Sequence, residues 1–598
     1  MNVLQNWILT LTIFTPAAGA IIIGFLSHRQ TRTIRTVALI VSLVSLILTG
    51  IVVTRFCQAG PTDTYVLEQN VLWLGSPSLP GVEIRYHVGV DGISVFLLAM
   101  TALLLFLSVV YSTVPVTERI KEYYIFLLIL GTSCMGVFCA VDVLLFYIFF
   151  EFVLVPLYFL IGIWGGENRQ FAATKFFVYT IVGSLITFAG IIYLALQARN
   201  LGGRVSFDIP QLIRLAQTGT FSTATQLWIF AAMFVGFAIK VPLFPFHTWL
   251  PLAHTEAPTT GSVFLAGVLL KLGTYGFLRF CLPILPQATL YFAPLMAFLA
   301  VIAILYGALA AWAQADFKRL VAYSSVSHMG FCILGLFTAK PVGVTGALLL
   351  MVNHGISTGA LFLVVGMIYD RYHTHKFGEI RGLARTMPVL TFFAVLFGLS
   401  SMGLPGLNGF VSEFMILVGA FTSATSSGGT PPGPLHMMFG VFAAGGIILS
   451  VIYILHFIRQ VFFGPEHLPP SDPRYSRDLG PREIGVLAPL AVLVVLIGIW
   501  PEPITRAMMP ACKAVVDTIM YVAPSPADEE LMACRTSDGC LSHARQSSLA
   551  DILADSGPNH DPLKQRLSIY GCLDNQVIVG AWDFESGRRD FGDRRSGR

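Results

Sequence analysis

Six ionisable side chains stand deep inside long apolar runs of this 598-residue chain. Glu151 lies in FYIFFEFVLVPLYF, Lys240 in MFVGFAIKVPLF and Lys271 in LAGVLLKLGTYG. His328 lies in YSSVSHMGFCILG, His354 in MVNHGISTGALF and Glu413 in GFVSEFMIL. A charge at bilayer mid-depth costs about 2.5–3.5 kcal/mol on insertion scales, so a set of six needs a reason. In chain order they read acid, base, base, His, His, acid, each near the middle of its own run. That order can form a row across a bundle. Burial disfavours an ammonium and a nearby carboxylate favours it, so moving Glu151 towards or away from Lys240 makes the lysine hold or release a proton. Histidines titrate near neutral pH and suit intermediate positions. Carrying one charge through the membrane field costs about 2.3 kcal/mol per 100 mV, a scale such couplings can match. The chemistry these residues point to is a charge relay that moves protons or cations.

Taken singly, each has a plainer reading. A buried Glu–Lys pair can be a structural tie, and His328 or His354 alone fits a helix–helix hydrogen bond. His247, His254 and Glu256 fall at a turn and read as structural. His456 reads as interfacial, and Asp142 and Arg279, at run ends, read as side chains that snorkel to the surface. The conjunction of six central groups with two interrupted helices favours the relay.

The interruptions come next. Directly after Lys240 stand Pro242 and Pro245, which remove backbone donors and break a helix. In the run 387–424, GLPGLNGF places Gly403, Pro405, Gly406 and Gly409 just before Glu413. Non-helical backbone at membrane depth is tolerated where it is buried in protein or lines a wet cavity, and broken helices with ionisable groups at the break mark ion sites in transporters.

A span needs about 20 apolar residues. On that rule the chain is an all-α polytopic membrane protein with about 14 transmembrane helices, near 5–27, 34–54, 91–112, 122–141, 143–164, 171–196, 226–250, 260–283, 288–311, 315–338, 341–369, 387–424, 436–459 and 485–504. The broken spans are seventh and twelfth, so two five-helix units, 122–283 and 288–459, correspond. An odd number of helices per unit gives the units opposite orientations, as inverted repeats.

Composition agrees. Mean hydropathy is +0.74 and charged residues are 12%, where a soluble protein carries about 25%. Residues 1–505 hold 26 Lys+Arg and 20 Asp+Glu and form the membrane domain, whereas 506–598 hold 11 and 13 and form a polar tail expected to be disordered. Within it, 504–522 suits an amphipathic surface segment. The net charge of +4 gives no case for nucleic acid. The nine cysteines include no CxxC or Cys/His cluster with metal spacing; Cys534 and Cys540 could pair in an oxidising compartment. No GxGxxG or GxxxxGK[ST] occurs, so no nucleotide site is expected. Arg and Lys cluster in alternate loops, which places the N- and C-termini outside, on a periplasm-like side. One loop dissents: 197–225, with Arg199, Arg204 and Arg214, falls outside.

The stretches FFEFVLVPLYFLIGIWGG, KVPLFPFHTWLPLAHTEAPTTGSVFLAGVLLKLGTYGFLR, DFKRLVAYSSVSHMGF and GLPGLNGFVSEF resemble the antiporter-like, proton-translocating subunits of NADH–quinone oxidoreductase, respiratory complex I, and among these the subunit M (chain 4) branch. The resemblance covers roughly residues 1–505 and leaves the tail unassigned. It implies fourteen helices in two inverted repeats with helices 7 and 12 broken. It implies Lys240 as the pumping lysine with Glu151 as its charged partner, Lys271, His328 and His354 as central relay positions and Glu413 as the exit-side acid. It implies no cofactor in this chain, with NADH, FMN, iron–sulfur clusters and quinone bound by other subunits. It also implies neighbouring antiporter-like subunits L and N as partners in a bacterial inner membrane. The nearest alternative is the homologous subunit of a cation/proton antiporter or membrane-bound hydrogenase complex. A membrane scaffold without transport would lose assembly, not pumping, when Lys240 is neutralised.

Overall fold

The computed structural model describes residues 7–74, 82–202, 205–218, 221–425, 432–520, 572–573 and 576–577. The chain divides into two compact units, 1–523 and 524–598. In the second, two short antiparallel strands, Cys572–Leu573 and Gln576–Val577, pair. The predicted lack of order in the tail and any Cys534–Cys540 pairing lie outside the described residues.

The first unit is helical. Its elements are α1 (Ile8–Phe25), α2 (Thr31–Ala59), β1 (Val66–Leu74), β2 (Val82–Val90), α3 (Val95–Ser112), α4 (Ile120–Cys139), α5 (Val143–Phe152), α6 (Leu154–Trp164), α7 (Arg169–Gly202), β3 (Val205–Ser206), α8 (Ile209–Gln217), α9 (Thr223–Lys240) and α10 (Leu250–Glu256). Then follow α11 (Thr259–Phe264), α12 (Leu270–Gly276), α13 (Leu282–Ile284), α14 (Pro286–Trp312), α15 (Phe317–Leu336), α16 (Pro341–Tyr372), α17 (Leu383–Thr386), α18 (Pro388–Ser401), α19 (Asn408–Ser423), α20 (Met438–Phe462), α21 (Pro481–Ile499) and α22 (Glu502–Met520). Each of the fourteen predicted stretches is occupied by helix. By length and apolarity, 12 helices can cross a membrane among the described residues. The eighth is one continuous rod in which π-helical turns Leu265–Leu269 and Phe277–Cys281 flank α12.

Local chemistry sets the helix starts. Asp142, Asp208, Ser222 and Asp316 accept backbone N–H groups as N-caps of α5, α8, α9 and α15. Pro286, Pro341, Pro388 and Pro481 open α14, α16, α18 and α21, where the missing N–H costs nothing. The helix that ends at Lys240 stops at the prolines, and the Trp249 indole donates to the freed carbonyl of Ile239 at 2.9 Å. Between α18 and α19, Gly403 and Gly406 take φ of +77° and +90°, which side chains rarely adopt. A Cβ on Gly409 would collide with the carbonyl of Ser400.

Loop contacts sort the connections into two ends. At one end Lys121 donates to the carbonyls of Gly24 and Leu26, Gly166 N–H to Glu256, Phe317 N–H to His375 and Arg381 N–H to His467. At the other end β1 and β2 form an antiparallel hairpin, β2 pairs with β3, and Val141 N–H donates to His87. The dissenting loop 197–225 therefore belongs to a folded cap of β3 and α8. The hairpin has no counterpart in the sequence reading, although VEIRYHVGV alternates as a strand should.

The amphipathic segment predicted at 504–522 is α22. It packs against α16, α13 and α14 through Met508, Cys512, Val515 and Ile519. Asp142 and Arg279 do not snorkel. Asp142 is buried as the cap of α5, and Arg279 is buried in a bidentate pair with Asp91, both nitrogens at 2.7 Å. The planar guanidinium fits the carboxylate with two parallel charge-assisted bonds, so its donors are satisfied inside the bundle.

Candidate functional site

Glu151 sits in the last turn of α5, between Ser184 of α7 and Lys240 of α9. Lys240 is fully buried. Its Nζ donates to the carbonyl of Phe150 at 3.2 Å and lies 4.0 Å above the Phe150 ring. The expected Glu151–Lys240 partnership is thus one of field and not of contact: no ion pair within 4.0 Å joins them, and Glu151 Oε1 is buried without a hydrogen-bond partner.

The other four residues touch in sequence. Lys271 is fully buried on α12 and donates to the carbonyl of Ala266, freed by the π turn, and to His354 Nδ1 at 2.6 Å. The His354 and His328 rings lie 5.5 Å apart between centroids. His328 Nδ1 is 3.0 Å from Glu413 Oε1, and its Nε2 meets Ser401 Oγ at 3.2 Å and Tyr453 OH at 3.4 Å. A line therefore runs through α12, α16, α15 and α19. All four residues are at most 4% exposed.

Between His354 and Glu413 lies a cavity of about 10 Å³, lined by His328, Asn353, His354, Thr358, Ser401 and Glu413 among others. Asn353 Oδ1, His354 Nε2 and Thr358 Oγ1 are buried without a protein partner. A polar space of this size with several orphaned polar atoms suits one water, which would join His354 Nε2 to the Glu413 side. Asn353 also ties the break: its Nδ2 donates to the carbonyl of Asn408 at 2.7 Å and to Ser412 Oγ at 3.1 Å. Asn353, Thr358, Ser401 and Tyr453 were not singled out by the sequence, because hydroxyls and amides in membrane helices are common and only Ser324, Ser325 and Ser327 cluster visibly.

The line does not reach Lys240. Gly273 lets α12 approach α9 so closely that a Cβ there would stand 2.7 Å from the carbonyl of Phe237, and no hydrogen bond among the described residues crosses that seam. His247 and Glu256 keep to the turn. Glu256 accepts from Asn168 N–H at 3.0 Å, and His247 packs on Phe244 and Tyr306. His254 is fully buried, stacked flat on Phe362 at 4.5 Å, with neither ring nitrogen bonded.

The model of the family described as "NADH:quinone oxidoreductase/Mrp antiporter, TM" matches residues 140–428, from the start of α5 to the end of α19. A protein of Rickettsia bellii, "NADH-quinone oxidoreductase subunit M", is 40% identical over 502 residues, covering 83% of this chain and 96% of that one. The chain belongs to the subunit M family. The family's fold agrees: a chain of "Respiratory complex I from Thermus thermophilus with bound NADH" superposes with a TM-score of 0.73 at 30% identity, covering 86% of this chain and all of that one. A chain of the Mrp complex from Dietzia gives 0.72 at 19% identity and 87% and 100% coverage, a likeness of fold alone.

Proposed function

We propose that this chain is a proton-translocating membrane subunit of NADH–quinone oxidoreductase, in which Glu151, Lys240, Lys271, His328, His354 and Glu413 pass protons across the bundle. The observation that carries this is the buried line Lys271–His354–His328–Glu413, whose three links lie within hydrogen-bond or ring-contact range. An ammonium that donates to His354 Nδ1 leaves Nε2 as the protonated nitrogen, aimed at the cavity. Handing a proton from Lys271 to Nδ1 while Nε2 releases one towards the Glu413 side moves charge without moving a helix. The step at Lys240 is different in kind. It needs Glu151 to shift, because the carboxylate stands near Lys240 with no hydrogen bond or ion pair joining the two and with Oε1 unpartnered.

In this reading the chain holds no redox centre. NADH, FMN, iron–sulfur clusters and quinone belong to other subunits, and the neighbouring antiporter-like subunits L and N flank this one in a bacterial inner membrane. The two ends of the bundle suit an orientation with the hairpin end and both termini periplasmic, and the five-helix units 122–283 and 288–459, α4–α13 and α14–α20, are read as inverted repeats. A cation/proton antiporter or hydrogenase complex would use the same residues with another driver; the higher identity to the subunit M relatives favours NADH–quinone oxidoreductase.

The test is His354→Leu, measured as NADH-driven proton pumping in inverted membrane vesicles beside complex content. The relay predicts assembled complex with pumping reduced by about tenfold or more, equivalent to about 1.4 kcal/mol of barrier. Unimpaired pumping would contradict it.

A further inference from the structure

A second cavity, of about 630 Å³, opens at the end of the bundle opposite the hairpin. Its wall runs from the α3–α4 and α6–α7 turns to the first turn of α11 and the last turns of α16. That inner wall reaches the helices that carry Lys271 and His354. One carboxylate stands out there. Asp370, in the last turn of α16, accepts a hydrogen bond from Tyr111 OH at 2.7 Å and forms no ion pair among the described residues. Its chain neighbour behaves in the opposite way. Arg371 is 1% exposed and holds Glu483 through both nitrogens, at 2.9 and 2.8 Å. The bundle thus ties Glu483 to a guanidinium and leaves Asp370 half-buried, without an ion pair, in the field of Arg371 and Arg482 and lining an open cavity.

The hydroxyls beyond Asp370 point inward. Tyr111 OH also lies 3.3 Å from Thr259 Oγ1, and Tyr123 OH bonds Thr260 Oγ1. Both threonines are in the first turn of the rod that bears Lys271. Close by, Lys318 donates to the carbonyls of Thr255 and Ala257 at 3.0 and 2.7 Å, anchoring the end of α10. On the same α10, His254 is buried with both ring nitrogens unbonded. We propose that Asp370 is the carboxylate at which this subunit collects protons from the cavity, with Tyr111 and Thr259 as the first step inward. The inference rests on the relay reading above.

The experiment measures NADH–quinone turnover in uncoupled inverted vesicles, which expose this end and where turnover reads proton passage. Asp370→Asn, Asp370→Glu, Tyr111→Phe and His354→Leu are compared at equal complex content, with and without sodium formate. Formate is small enough for the cavity and can replace a missing carboxylate. The proposal predicts Asp370→Asn slowed at least threefold, Asp370→Glu near wild type, and formate restoring the Asn variant while leaving the wild type and His354→Leu unchanged. Normal turnover of Asp370→Asn beside a slow His354→Leu would overturn the proposal and leave the relay standing. A slow Asp370→Asn that neither formate nor glutamate repairs would also overturn it, as a structural loss. If Asp370→Asn does not assemble, Tyr111→Phe decides: slowed turnover supports the inward step, and wild-type turnover removes it. Normal turnover of both His354→Leu and Asp370→Asn would remove the relay together with the inference.

Discussion

The two broken helices hold their charges differently. At the first, an acid on α5 and a base on α9 stand near each other without touching, and Lys240 makes do with a carbonyl and an aromatic face. At the second, the types are exchanged: a base, His328, on α15 and an acid, Glu413, on α19 meet at 3.0 Å. The second site continues through the ring contact of His328 with His354 to Lys271, which is hydrogen-bonded to His354, and the first is cut off by the seam at Gly273. A connected half can pass protons by small rearrangements. A disconnected half passes them only when something moves. In the proposed relay, this difference assigns the controlled step to Glu151 and Lys240 and the conducting step to the stretch between Lys271 and Glu413.

The sharpest way to break this comparison is Glu413→Gln. It keeps the shape and an oxygen that can still accept from His328, but removes the carboxylate that takes up and releases the proton, so pumping should fall about tenfold or more with complex content retained; Glu413→Asp should keep part of it. Glu151→Gln should act less steeply. No contact with Lys240 is lost, but the negative charge that stands beside it is removed. Pumping should fall by about threefold to tenfold, with turnover falling alongside. If Glu151→Gln proved the more severe of the two, the assignment of control and conduction to the two halves would be reversed.

A third histidine gives a control outside the membrane-spanning helices. His87 bridges two carboxylates, Asp208 at 2.6 Å and Glu68 at 2.7 Å, fastening the hairpin to the cap of α8. Burial alone would lower its pKa, but the bonds and charges of Asp208 and Glu68 outweigh this and hold it above the ordinary value. A raised folded pKa means the bridge contributes fully below the unfolded value of about 6.5 and is lost as pH rises through the folded one. His87→Gln should therefore speed hydrogen exchange across residues 82–90 by about tenfold at pH 6, since a charge-assisted bond is worth about 1.5–3 kcal/mol. The gap between variant and wild type should close at pH 9, with pumping little changed. Equal exchange of the two proteins at pH 6 would remove the bridge.

Much of this arrangement was legible in the chain. Pro242 and Pro245, and the glycines before Glu413, announce both breaks because backbone donors and positive φ are local properties. The six central groups stand out because apolar runs rarely hold charges. Which of them touch was not legible, since a pairing between α16 and α12 depends on Gly267 and Gly355 letting helices close together, and glycine spacing does not say with which partner. Arg279 and Asp142 were misplaced for a related reason. Their proximity to run ends suggested water, and the buried partners Asp91 and the α5 backbone lie far off in sequence or in the turn that Asp142 itself begins. The hairpin escaped a search tuned to twenty-residue apolar runs.

The central claim is that protons pass through the row and that Lys240 controls entry to it. NADH-driven proton pumping in inverted vesicles carrying Lys240→Ala, with complex content and quinone reduction measured beside it, tests this most directly. The account predicts a fully assembled complex whose pumping is lost or strongly reduced, with Lys240→Arg retaining part of it. Normal pumping and normal turnover in an assembled Lys240→Ala complex would contradict it.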